Sequence, residues 1–136
     1  MMVIFEGKKD TELQKALRLI VGIHEGDTNI ASFAKKAKID SDESKSIRYA
    51  LNHFESMAVG ISSGTYDENT IKSSQFTTVT KLYERTKTYI DVIRAEGSST
   101  YYQEIECLAC SWKENPLQKK SIASLQVRSI KNFFGF

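Results

Sequence analysis

Apolar positions along this chain recur at three- and four-residue intervals, which predicts helices from end to end. Residues 1–9 read as an extended or frayed start. Leu13, Ala16, Leu17, Ile20, Val21 and His24 then follow helical spacing, with Asp10 or Thr11 as cap and Thr11-x-x-Gln14 as a capping box. Gly26 closes this helix, on the expectation that it takes the left-handed conformation. A short second helix opens at Asp27 or Thr28 and carries Ile30, Phe33, Ala34 and Ala37. A long third helix spans about 42–63, and the polar stretch Asp40-Ser41-Asp42-Glu43 offers several caps for it. Its stripe is Ile47, Leu51, Phe54, Ala58 and Ile61, flanked by Ala50 and Met57, and Gly64 ends it. Residues 67–74 form a short helical piece, started by Asp67 or by Thr65-x-x-Glu68. Phe76, Val79, Leu82, Tyr83, Thr86, Ile90 and Ile93 mark the next helix, stopped by Gly97. Ser98, Ser99 and Thr100 cap another, with Tyr101, Ile105, Leu108, Ala109 and Trp112 turned inward. Asn115-Pro116 breaks the chain, and residues 116–132 predict a last, basic helix.

No stretch alternates polar and apolar residues for long enough to predict a paired strand; Val3-Ile4-Phe5 is the one candidate and has no evident mate. The expected fold is therefore all-α, a compact single-domain bundle of five or six helices over residues 1–136, with 115–136 as a basic aromatic C-terminal helix or tail.

Composition narrows the class. A chain of 136 residues fits one domain. One proline and seven glycines are too few for a barrel, which needs many turns. Two cysteines cannot make a disulfide framework. No leader-like start is visible, and the longest apolar run, Leu19 to Ile23, falls far short of the roughly 20 residues of a membrane span. The expectation is a cytoplasmic protein with no membrane span. The net charge is +2, but after Glu114 the chain carries Lys119, Lys120, Arg128 and Lys131 and no acid. That end is +4 and residues 1–114 are −2, which does not suit a dedicated nucleic-acid binder.

Two blocks resemble a known family. Ala50-Leu51-Asn52-His53-Phe54-Glu55-Ser56-Met57-Ala58-Val59-Gly60-Ile61 through Gly64, then Tyr66-Asp67-Glu68, resembles the central pattern of domain of unknown function 4760. Glu104-Ile105-Glu106-Cys107-Leu108-Ala109 with Trp112 resembles its closing block, and Tyr89-Ile90-Asp91-Val92-Ile93-Arg94 fits between them. The similarity covers residues of about 45–113. It implies an all-helical fold and a bacterial or phage origin, and no reaction. Members often carry a membrane segment upstream, and this chain has none to match it.

Four constellations could carry chemistry. His53-Phe54-Glu55 followed by Cys107-Leu108-Ala109-Cys110 has the residue types of a zinc deaminase. That enzyme needs a proline before its Cys-x-x-Cys, and here Glu106 stands there. His53 and Glu55 also fall two apart on a helix, where side chains do not face each other. The bland reading puts both on the flanks of a buried stripe. Cys107 and Cys110 share a helical face and read as small residues in a secondary contact.

Asn29 to Ala50 mimics a helix-turn-helix, with Lys35, Lys36, Lys38, Lys45 and Arg48 as phosphate contacts. Against it, Asp42 and Glu43 would open the second helix and repel phosphate. Finally, Lys119, Lys120, Arg128, Lys131, Phe133, Phe134 and Phe136 make a basic aromatic end, suited to folding back, to a partner or, less well with four spread charges, to a membrane surface. The leading expectation is a non-enzymatic protein-interaction or regulatory module. It would be encoded by a phage or mobile element, bind a host protein complex, self-associate through its end, and use no cofactor or metal. A helix-turn-helix-like nucleic-acid binder is the alternative, and a metal- or small-ligand-dependent enzyme the third.

Overall fold

The computed structural model describes residues 10–120. Within them the chain forms α1 (Thr11–Glu25), a 3-10 helix (Ile30–Ala34), α2 (Asp42–Ser62), α3 (Glu68–Glu96) and α4 (Gln103–Glu114), and no strand is found among the described residues. The all-helical class therefore holds, but the expected count of five or six helices does not.

Each difference has a local cause. The second helix shrinks to one 3-10 stretch, because Lys35, Lys36 and Lys38 leave only Ile30, Ala31 and Ala34 to bury. Asn29 Oδ1 caps it through the Ala31 amide at 3.0 Å, and turns then carry the chain to Ser41, leaving Ala37 exposed. The expected piece at 67–74 is continuous with the following helix. Ser73 and Ser74 do not break it, since both hydroxyls bond back to carbonyls of the preceding turn, Asn69 O and Ile71 O. Residues 116–120 are not helical, and the remainder of the expected last helix lies outside the described residues.

The caps follow the sequence in three of four α-helices. Asp10 Oδ1 accepts from the Leu13 amide at 3.0 Å, Ser41 Oγ from Ser44 at 3.2 Å, and Asp67 Oδ2 from Thr70 at 2.9 Å. Gly26 ends α1 in an extended conformation and not the left-handed one, with its amide bonded to Gly22 O and Ile23 O. Gly64 does take the left-handed region, at φ 81°, and turns the chain out of α2. α4 departs from expectation. Thr100 does not cap it; its hydroxyl bonds Ser98 instead, and the N-cap position falls on Tyr102, whose side chain caps no amide of the helix.

The four helices occupy the corners of a bundle. α1 packs on α2 and α3, α4 packs on the same two, and α2 and α3 meet sparingly across the diagonal. The 3-10 helix lies on α3. α3 and α4 run antiparallel: Trp112, near the end of α4, stacks on Phe76 early in α3, while Glu106 reaches Tyr83 and Arg94 further along it. Ile47, Leu51, Phe54 and Ala58 are buried at the centre as their spacing required, and Ile61 is partly buried. Trp112 and Tyr89 are the largest fully buried side chains. Tyr101, expected inward, stays 48% exposed.

Candidate functional site

α2 is continuous from Asp42 to Ser62, so His53 and Glu55 sit on different sides of one helix. The His53 ring is half-buried, edge-on to Phe54 with centroids 4.8 Å apart. Burial lowers its pKa below the ordinary imidazole value, and the Asp10 charge opposes that shift. Glu55 points the other way, to α4. Its carboxylate accepts from two backbone amides, Ile105 at 2.8 Å and Glu104 at 3.3 Å. These are orphan donors of the first turn of α4. Glu55 thus does the work of an N-cap from a different helix, and its negative charge suits the positive end of the helix dipole.

Tyr102 belongs to the same junction. Its backbone is left-handed, at φ 60° and ψ 28°, a conformation that costs a bulky residue about 1–2 kcal/mol. Its hydroxyl donates to Asn52 Oδ1 at 3.0 Å, one turn before Glu55 on α2. Burial pushes the Tyr102 phenol up to about 12. Asn52 and Glu55 therefore seize the start of α4 by side chain and backbone together.

The rest of the motif blocks also joins helices. Gly60 is the seat of the Tyr66 ring: a Cβ at position 60 would lie 2.1 Å from two Tyr66 ring carbons. Glu68 accepts from the Trp112 indole Nε1 at 2.9 Å. Glu106 accepts from the Tyr83 hydroxyl at 2.6 Å and from Arg94 Nη2 at 3.2 Å. Arg94 Nε meanwhile donates to Tyr101 O at 2.8 Å. The Tyr83 and Arg94 bonds hold the Glu106 carboxyl below its usual range, while burial and Glu106 raise the Tyr83 phenol.

The cysteines lie apart from all of this. Cys107 and Cys110 are free and exposed on the outer face of α4, not in the secondary contact expected of them. No group of three or more His, Cys, Asp or Glu able to hold one metal ion occurs among the described residues.

The residues expected to meet phosphate divide. Lys35, Lys36, Lys38 and Lys45 are exposed. Lys38 Nζ lies 5.3 Å from the Phe33 ring centroid. Arg48 turns inward. Its Nη1 donates to Ile39 O at 2.7 Å and to Ser44 Oγ at 2.9 Å, with Tyr89 Oη at 3.4 Å. Ser44 and Tyr89, both fully buried, share a 2.8 Å hydrogen bond. Arg48 therefore locks the turn before α2 to α3 and is not arrayed with the lysines. The stretch preceding α2 is a five-residue 3-10 helix, shorter than the first helix of a helix-turn-helix, and α2 runs 21 residues.

Of the C-terminal candidates, Lys119 and Lys120 are exposed on non-helical chain. Arg128, Lys131, Phe133, Phe134 and Phe136 lie outside the described residues. Lys72 Nζ of α3 donates to Asn115 O, the C-cap residue of α4. Shallow grooves mark the described surface. One, of about 280 Å³, runs between Leu17 and Val21 of α1 and Thr77, Lys81 and Arg85 of α3. Another, of about 370 Å³, lies among Lys36, Ile39, Ile93, Glu96 and Tyr101.

Sequence reasoning placed His53 and Glu55 on opposite flanks but missed what Glu55 bonds. It missed the Ser44–Arg48–Tyr89 cluster as well. The available signal for Glu55 was a carboxylate on the flank of a buried stripe, which does not say which helix it meets.

No curated protein and no solved structure matches the chain. One family model does, over residues 1–112, and it covers both motif blocks and the helix between them. On that match the chain belongs to the family described as Domain of unknown function (DUF4760).

Proposed function

We propose that this protein is a non-enzymatic interaction module, cytoplasmic and encoded by a phage or mobile element, which binds a protein complex of its host. One observation carries the reading. Five polar side chains of the motif blocks, Asn52, Glu55, Glu68, Arg94 and Glu106, are engaged in joining one element of the bundle to another. An architecture held together in this way supports a rigid scaffold that presents surface. Fold membership by itself assigns no activity.

The presenting element is the basic aromatic end, Lys119, Lys120, Arg128, Lys131, Phe133, Phe134 and Phe136, which follows Asn115 in the chain, where Lys72 of α3 holds the backbone. Phenylalanines flanked by cations suit a partner that offers an apolar pocket rimmed with acids, including a second copy of the chain.

The test uses two baits in host lysate: the full chain, and the full chain with Phe133, Phe134 and Phe136 changed to Ser. The reading expects one stoichiometric partner, or a doubled mass by light scattering, with the first bait and neither with the second. Equal captures and equal masses would remove it.

A further inference from the structure

Free cysteine is among the most buried residue types, so two exposed thiols on one helix call for a reason. Cys107 and Cys110 stand one turn apart on α4, on the outward line shared with Gln103 and Glu114. Their spacing is fixed, because α4 is held along its length. Glu55 takes its first amides, Glu106 ties it to Tyr83 and Arg94, and Trp112 is buried against Phe76 with its indole on Glu68.

Residues three apart on a helix have Cβ atoms about 5–6 Å apart. Four thiolates around zinc, at about 2.3 Å each, set neighbouring sulfurs about 3.8 Å apart, and ordinary rotamers of such a pair span that edge. Two thiols supply only half of the shell. The chain has no further cysteine, and its two histidines lie elsewhere, His24 at the end of α1 and His53 between α2 and Asp10. Glu106, one turn before Cys110 on α4, is taken by Tyr83 and Arg94.

We propose that Cys107 and Cys110 are half of a thiolate site for a soft divalent cation such as zinc, completed by the same pair from a second copy of the chain. A two-fold axis through the midpoint of the pair makes the contact self-complementary. With the two helices antiparallel, it sets Gln103, an amide donor, opposite the partner's Glu114, a carboxylate acceptor. One ion replaces four thiol protons, and the site carries −2 overall. Lys113, one turn after Cys110 on α4, supplies a positive charge on the same helix to offset part of it. Because protons leave on binding, uptake weakens as pH falls.

The experiment titrates the reduced full chain with Co²⁺ and with Zn²⁺, and follows mass by light scattering. The proposal expects one ion per two chains and a mass that doubles on loading and reverts with EDTA. It also expects tetrahedral cobalt bands with sulfur-to-metal charge transfer. Cys107→Ser and Cys110→Ser should each weaken uptake more than tenfold, while the urea midpoint of the metal-free chain stays put, because both side chains are exposed. One ion per chain with unchanged mass, uptake unaltered in Cys110→Ser, or no uptake would each overturn it. A dimer that persists in EDTA and binds no metal overturns it too, and points to the aromatic end instead.

Discussion

Glu55, in the middle of α2, caps α4 through the amide of Ile105, 50 residues further along the chain, at 2.8 Å. A capping carboxylate contributes about 0.5–2 kcal/mol. Glu55→Ala should therefore lower stability by about 1–2 kcal/mol, and Glu55→Gln by less, since one acceptor oxygen remains while the charge is lost. Urea denaturation reads the difference. Hydrogen exchange should show the amides of Glu104 and Ile105 losing protection before the rest of α4. A neutral Glu55→Ala would mean that this bond does not hold the helix.

Gly60 tests the second junction by the sign of its effect. Glycine to alanine inside a helix ordinarily gains about 0.8–1 kcal/mol. Here a Cβ would fall 2.1 Å from the Tyr66 ring, and overpacking of that kind costs about 1–3 kcal/mol. Gly60→Ala should thus destabilise the chain by about 1–2 kcal/mol. In a Tyr66→Ala background the same change should be neutral or favourable, and the double-mutant cycle measures the coupling. A simple gain in the wild-type background would show that Tyr66 moves aside freely.

These two junctions mark what was legible in the sequence and what was not. The α2 stripe was legible, because Ile47, Leu51, Phe54 and Ala58 obey one period and bury together. The caps at Asp10, Ser41 and Asp67 were legible because the cap and the amide it serves lie three residues apart. Glu55 was misjudged as a mere flank because its amides lie far along the chain, and periodicity carries no information on such pairs. The helix count failed for the opposite reason. Asp67 with Thr70 announces one start, but nothing between Asn69 and Ile93 stops the helix, and two serines that look like a boundary bond within it. The boundary at Tyr102 was illegible because its left-handed backbone is held by Asn52, a tertiary partner.

The buried Ser44–Tyr89 bond makes a third prediction. Tyr89 is fully buried, and its hydroxyl has Ser44 at 2.8 Å and only a long contact to Arg48. Ser44→Ala leaves that hydroxyl poorly satisfied and should cost about 1–3 kcal/mol. Tyr89→Phe should cost less, about 1 kcal/mol, because Ser44 keeps Arg48 at 2.9 Å. Arg48→Met should loosen the turn at residues 35–41, visible as faster amide exchange there, since Ile39 O loses its donor. If the larger loss fell on Tyr89→Phe, the assignment of Ser44 as the hub would be wrong.

Stability should also form a dome in pH, with different groups on each limb. His53 has a pKa lowered by burial, so between its folded and unfolded values the folded chain holds fewer protons, and stability rises with pH. Its contribution is complete above about 6.5, the unfolded value, and is lost as pH falls through the lower folded value. Glu106, held down by Tyr83 and Arg94, adds the same sign of dependence lower still, below about 4.5, as do Asp10 through Tyr49 and Asp67 through Thr70. Tyr83 and Tyr102 are raised, so the folded chain holds their protons more tightly. Their contribution is complete below about pH 10 and is lost as pH climbs through the folded values. Urea midpoints measured from pH 3 to 11 should therefore plateau between about 7 and 9 and fall on both sides. His53→Gln should flatten the shoulder near pH 6 and leave the alkaline limb alone. Tyr102→Phe should make the alkaline limb shallower, with Tyr83 carrying the remainder, and leave the shoulder. A shoulder that survives in His53→Gln would assign it to another group and would mean that burial does not depress this imidazole.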